Sequence, residues 1–455
     1  MDNEKINNFA EKVIKEFHLP SLGVGIYQHG EDFSHVYGDA KEDSLYPLAS
    51  ISKTFLATAI CQLADAGKIN LDEPLKKSWL DFKMVDKYVE EHLTWRDALS
   101  HQSGLPAHDL MRFTNMNEHD LSLREKAEHV GYLKPTHELR QKMQYSNLIF
   151  AVTTYVMEQV IDEDYGTYER EHLLKPLGMN DTYINHHEAP FAKITKPYIR
   201  DKDVTKEVPF IAPGKVGGAS SMIATISNLL TWAKFQLQTQ KTTKNEVTAQ
   251  RYLPQSIMLP NRAYGGANFA AYGLGMMMED YHGHKYFYHS GSYIGYCSFL
   301  GFVPDLDLAF VFTTNMDSTD AIFALAYQTI DAALSINTVD WTTKVSKIMT
   351  AKIANKEKKL NAVKGTIWNH VKADTAQLGD YHNPGYGLVT LSAEDDNLMV
   401  TLGKWRYPVM INNQGNMFIE ERLYEHELLP ITLGNNVLTI LTEPALKLPT
   451  EFEKV

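Results

Sequence analysis

The sequence predicts a mixed α/β (α+β) fold, an antiparallel sheet flanked by helices, followed by a small antiparallel β-barrel or sandwich. Three observations carry this. Strand-like text stands at both ends of roughly the first 335 residues with helical text between, so both ends complete one sheet. The 455 residues are 44% hydrophobic and 11% aromatic, enough for a sizeable core. Beyond residue 337 the text turns lysine-rich and helical, then into short alternating strands punctuated by turn residues. With about 150 residues per domain as a guide, this predicts a first domain over 1–337, a helical linker over 338–376 and a second domain over 377–455.

The elements follow in order. Ile6, Phe9, Val13, Ile14 and Phe17 recur at helical spacing. Leu22 to Tyr27, the turn Gln28-His29-Gly30-Glu31 and Phe33 to Tyr37 read as a hairpin. Residues 50–66 are helical, with Leu56, Ile60 and Leu63 on one face and Gly67 placed to stop the helix. Asn147 to Ile161 is apolar nearly all round and predicts a buried helix. Lys285 to Tyr288, Tyr296 to Val303 and Leu308 to Thr314 are strands, with Pro304-Asp305-Leu306-Asp307 turning between the last two, and Ala321 to Leu334 is a closing helix. In the C-terminal part, Tyr386 to Leu391, Asn397 to Leu402, Met417 to Glu420 and Val437 to Leu441 are the expected strands.

A net charge of −12 argues against broad binding to nucleic acid or anionic membranes. No apolar run approaches the roughly 18 residues of a membrane span. The N-terminal text lacks a basic start leading into an apolar core, which predicts no secretory signal in this sequence and a cytoplasmic location, with a periplasmic or secreted one as the alternative if a leader was removed. Cys61 and Cys297 are expected as free thiols.

The chemistry concentrates in Ala49-Ser50-Ile51-Ser52-Lys53. A serine hydroxyl needs a base to become a nucleophile. A lysine three residues on, at a helix start, shares its face and lies within reach. Such a lysine serves as base only if burial or a neighbouring charge depresses its pKa. Tyr145-Ser146-Asn147 offers a phenol and an amide at a loop-to-helix junction, and His289-Ser290-Gly291 stands where the strand from Lys285 is expected to end.

That order of Ser-x-x-Lys, Tyr-x-Asn and a basic-x-Gly strand resembles the penicillin-recognising serine enzymes. More closely, the chain resembles the family of class C β-lactamases, D-alanyl-D-alanine carboxypeptidases, D-aminopeptidases and family VIII esterases. Leu99-Ser100-His101-Gln102-Ser103-Gly104-Leu105-Pro106, Leu174-Lys175-Pro176-Leu177-Gly178-Met179 and Gly217-Gly218-Ala219-Ser220-Ser221 match further family segments, so the resemblance spans roughly residues 10–335. It implies a β-lactamase/transpeptidase-like sheet flanked by helices. It also implies Ser50 as acylated nucleophile, with Lys53 and Tyr145 sharing base and acid work. Asn147 would orient the substrate amide, and the N–H groups of Ser50 and Ser292 would form the oxyanion hole. His289, Ser290 and Gly291 would line the binding strand. β-Lactamases of this type usually carry Lys-Thr-Gly there; an exposed His289, mostly neutral at pH 7, disfavours efficient β-lactam hydrolysis and favours ester or peptide substrates. Leu378-Gly379-Asp380-Tyr381 and Pro384-Gly385-Tyr386-Gly387 resemble the opening of the lipocalin-like barrel appended to some members, in which Trp405 or Tyr407 could reach the cleft.

No cofactor is expected. His186-His187 and His282-Gly283-His284 lack further ligands at metal spacing, Tyr272-Gly273-Leu274-Gly275 lacks the Gly-Lys-Ser/Thr of a phosphate loop, and Met276-Met277-Met278 reads as core or cleft lining. The expected partners are a small ester or peptide substrate and, as a possibility left open, further copies of the chain. The rival reading is a catalytically inactive scaffold for binding or assembly, against which the intact Ser50, Lys53, Tyr145 and Asn147 speak.

Overall fold

In the computed structural model, residues 3–109, 121–201, 204–212, 214–260, 264, 267–336, 338–365, 368–420, 428–446 and 448–455 are described. Ser21–Gln28 (β1) and Glu31–Gly38 (β2) pair antiparallel across the two-residue turn His29-Gly30. Both turn residues have positive φ, +50° and +89°, the geometry whose twist matches that of paired strands. Ser256–Met258 (β3), Ala270–Tyr272 (β4), Met277–Tyr281 (β5), His284–Tyr293 (β6), Tyr296–Val303 (β7) and Leu308–Thr314 (β8) complete an eight-stranded sheet of order β2-β1-β8-β7-β6-β5-β4-β3. β1 lies beside β8 from Leu22↔Thr314 to Gln28↔Leu308, so the two ends of this part of the chain do close one sheet.

Every residue of β7 and β8 is buried, because helices cover both faces. Successive side chains point to opposite faces. Phe299, Leu308, Phe310 and Phe312 therefore pack with Ile6, Val13 and Phe17 of helix Asn3–Phe17 (α1) and Leu325 and Ile330 of Thr319–Ala333 (α5). Leu300, Phe302, Ala309 and Val311 pack instead with Leu56 and Ile60 of Ser52–Asp65 (α2) and Leu229 and Trp232 of Ile226–Thr242 (α4). The apolar Asn147–Ile161 helix (α3) sits deep in this second layer, with Ile149, Phe150, Val152 and Val156 fully buried. Each such side chain contributes roughly 1.5–3 kcal/mol. Gly25 has to be a glycine: a Cβ would stand 2.7 Å from Val311 Cγ2 and 3.2 Å from Leu230 Cβ of α4.

One strand is longer than the sequence suggests. β6 does not end at His289. Its pairing with β7 continues from Phe287↔Phe302 to Tyr293↔Tyr296, which places His289 in mid-strand.

Helix Trp341–Lys364 (α6) follows, its start packed into the first core through Trp341 and Val345. In the C-terminal region Gly379–Asn383, Gly387–Glu394, Asn397–Leu402, Trp405–Asn412, Met417–Glu420, Leu428–Leu433, Val437–Ile440 and Thr450–Lys454 form an eight-stranded antiparallel barrel. The ring closes through pairing of Trp405–Asn412 with Met417–Glu420, and Trp368–His370 adds to the rim. Val389, Leu398, Val400, Ile419, Leu438 and Phe452 fill its interior, and Trp405 and Tyr407 pack half-buried against that core. Cys61 and Cys297 are free and buried. Among the described residues, no helix is long and apolar enough to cross a membrane.

Candidate active site

Ser50 sits in the single 3-10 turn Ala49–Ile51 that leads into α2. Ala49, with φ +48°, is a non-glycine residue in the left-handed region, a conformation worth about 1–2 kcal/mol of strain. Its surroundings hold it there. Leu48 N–H donates to the Met222 carbonyl (2.8 Å) and Ser298 Oγ donates to the Leu48 carbonyl (2.6 Å). Gly291 of β6 lies against the same turn so closely that a Cβ would fall 2.2 Å from Leu48 O.

One helical turn on, Lys53 is fully buried. Its Nζ donates to Ser50 Oγ (3.0 Å), Asn147 Oδ1 (2.7 Å) and Ala219 O (2.7 Å). Three acceptors match the three hydrogens of an ammonium group, so the side chain is held rigidly beside the serine. The Ala219 carbonyl is itself placed by its neighbours, since Gly218 N–H donates to Thr154 Oγ1 (3.1 Å) and Met222 N–H to Ser52 Oγ (3.2 Å). Asn147 opens α3, and its Nδ2 donates to Asp109 Oδ1 (3.3 Å), which leaves Oδ1 facing the lysine.

The ring of Tyr145 lies 4.8 Å from Lys53 Nζ and that of Phe150 5.4 Å away. Such faces attract a desolvated cation. His101 packs 4.2 Å from the Tyr145 ring and accepts the Ser146 N–H at Nδ1 (3.1 Å). Its Nε2 therefore carries the proton, and has no hydrogen-bond partner among the described residues. Burial and the nearby Lys53 charge hold the His101 pKa well below the usual histidine range.

Ser50, Lys53, Tyr145 and Asn147 thus converge. His289 departs from the expected exposed position: it is fully buried, with its ring 6.4 Å from that of Tyr145. Nδ1 donates to the Ser290 carbonyl (2.7 Å), so neutral Nε2 accepts from the Tyr272 hydroxyl (3.0 Å). Burial, then the Lys53 charge, pushes its pKa down to about 3. The ring is neutral at pH 7 because water cannot reach it. Ser290 is half-buried, Gly291 buried and Ser292 exposed along the same strand.

Four residues of the cluster were not singled out for roles from sequence. His101 and Ala219 lie in stretches whose wording resembles the family, which was the available signal, and Tyr272 opens the Tyr272-Gly273-Leu274-Gly275 stretch that was weighed as a phosphate loop. Asp109 follows the His101 stretch and carries no motif of its own.

A family model described as Beta-lactamase matches residues 6–335. An unguisins hydrolase from Aspergillus campestris is 25% identical over 350 residues, covering 72% of this chain; the chain spans 65% of that relative's length. The octameric penicillin-binding protein homologue from Pyrococcus abyssi superposes with a TM-score of 0.64 at 18% identity, covering 100% of both chains. A D-stereospecific amidohydrolase from Streptomyces gives a TM-score of 0.60 at 20% identity, covering 70% of this chain and 97% of its own.

Proposed function

Because the chain belongs to the beta-lactamase family, we propose that it is a serine hydrolase acting through an acyl-Ser50 intermediate on small esters or peptides. The observation that carries this is Lys53 Nζ, 3.0 Å from Ser50 Oγ and fixed from two other sides by Asn147 and Ala219. In the reacting form Lys53 is a neutral amine whose two N–H groups donate to Asn147 Oδ1 and Ala219 O, so its lone pair faces Ser50 Oγ. It takes the serine proton as Ser50 attacks the substrate carbonyl, with Tyr145 sharing the proton traffic. The N–H groups of Ser50 and Ser292 take the oxyanion, worth on the order of 10² to 10³ in rate per donor. Collapse expels the amine or alcohol, which leaves with a proton from the same pair. Water then repeats the sequence on the acyl-enzyme, releasing the acid and restoring Ser50.

The buried, neutral His289 supplies no cation for a substrate carboxylate, which supports ester or peptide substrates over efficient β-lactam turnover. The D-stereospecific amidohydrolase of like fold supports trying D-configured amides first. The octameric homologue supports a homo-oligomer.

The test is a fluorophosphonate probe read by intact mass and peptide mapping. Expected is one phosphonyl adduct on Ser50, its formation slowed at least about a thousandfold in Lys53→Ala. No adduct, or an equally fast one without Lys53, overturns the reading.

A further inference from the structure

We infer that the C-terminal barrel holds the catalytic amide in register: Tyr386 and Glu443 are positioning residues that act through His108 and Asp109 on Asn147. The inference rests on the acyl-Ser50 reading and adds a role for the barrel in it.

His108 is fully buried and left-handed, with φ +49°. Three hydrogen bonds fix it. Its backbone N–H donates to Glu443 Oε2 (2.7 Å), Nδ1 meets the Tyr386 hydroxyl (2.5 Å), and Nε2 meets the Lys134 carbonyl (3.0 Å). A carbonyl only accepts, so Nε2 carries the proton, and in the neutral ring Nδ1 must accept from Tyr386. Burial lowers the His108 pKa, in keeping with that neutral form. Two of the three anchors thus come from the barrel, 278 and 335 residues further along the chain.

The next residue is Asp109, whose Oδ1 takes the Asn147 Nδ2 hydrogen (3.3 Å). An acceptor at that point decides which way the Asn147 amide faces. With Nδ2 on Asp109, Oδ1 is turned to Lys53 Nζ (2.7 Å). With the amide reversed, its NH₂ would confront the lysine donor, and neither the lysine nor a substrate carbonyl would find its partner. The path from barrel to nucleophile is short: Tyr386 and Glu443, His108, Asp109, Asn147, Lys53, Ser50.

The experiment uses the full-length chain and an activated short-chain ester, p-nitrophenyl acetate, with fluorophosphonate labelling of Ser50 in parallel. Tyr386→Phe removes one hydroxyl and leaves the ring; Glu443→Ala removes the other anchor; Thr439→Ala, in the barrel wall, is the control. Expected in Tyr386→Phe and Glu443→Ala is a kcat lower by about ten- to a hundredfold, with KM within about twofold and the melting temperature of Tyr386→Phe lower by only the few degrees that one lost buried hydrogen bond costs. Combined with Asp109→Ala, the losses should fail to multiply, the signature of residues on one path. Wild-type labelling at Ser50 together with wild-type kcat in Tyr386→Phe and Glu443→Ala overturns the inference alone, as do losses that multiply with Asp109→Ala. Absence of labelling in the wild type overturns the acyl-serine reading and the inference with it.

Discussion

His289 binds its proton far more weakly in the folded chain than in the unfolded one, where a histidine titrates near 6.5. Its folded value is about 3. Between these values the unfolded state holds more protons, so stability is retained above pH 6.5 and lost as pH falls towards 3. At pH 5 the loss is about 2 kcal/mol from this residue, and His101, shifted the same way by burial, adds to it. We expect the melting temperature to fall between pH 7 and pH 5 and His289→Gln to flatten that dependence; an unchanged slope in the variant would sink the assignment. The motif around His289 was legible because residue types and their order are local properties. Its burial was not, since that depends on Tyr272 of β4 and on β7 covering a strand that looked finished at His289. Ser50 and Lys53 were legible together because helical spacing converts three residues into one contact; Tyr145 and Asn147, far along the chain, joined them only through the resemblance of the motif order to the family.

At the scale of elements, the candidate active site is a contact between a turn and a strand. The Leu48–Ala49 turn presents Ser50, and β6 presses on it through Gly291, where a Cβ would lie 2.2 Å from Leu48 O and 2.3 Å from Ser298 Oγ. A backbone oxygen cannot rotate aside as a side chain can. Gly291→Ala should therefore push the turn and the strand apart at Ser50, and we expect turnover to drop about a hundredfold while the eight-stranded sheet still forms. Steady-state kinetics beside a thermal melt decides this; turnover within a few-fold of wild type would show that the turn has slack. β7 and β8 were readable to the residue because both faces are covered and the text is predominantly apolar, aromatic or β-branched. β3 and β4, at three residues each, are too short to carry a period. Thr450–Lys454 buries only Phe452 between charged neighbours, so its role as a barrel strand comes from its pairing with Gly379–Asn383 and Val437–Ile440.

For the whole molecule, what the sequence suggested as a sheet unit with a barrel after it is joined by more than the chain between them. Leu133 and Tyr386 belong to one contiguous buried cluster that runs on into Val389 and Phe452 of the barrel. Polar contacts fasten the same seam: His129 Nδ1 lies 3.1 Å from the Gly385 carbonyl, and Glu443 and Tyr386 hold His108. No local pattern could announce this, because each contact joins residues hundreds of positions apart that are individually ordinary. Units that share a buried core lose each other's support when either opens, so the chain should unfold in one calorimetric transition. Gly385 is where that coupling can be cut with least harm to either core. A Cβ there would stand 2.7 Å from Leu133 Cδ2 and 3.4 Å from Tyr132 Cβ, so Gly385→Trp wedges the seam while leaving the interior of the barrel and the central sheet intact. We expect the single transition to split in two in that variant, with ester turnover falling alongside because His108 loses its anchors. Two transitions already present in the wild type, or a wedge variant that melts as one unit with full turnover, would mean that the barrel is carried by the sheet unit rather than built into it.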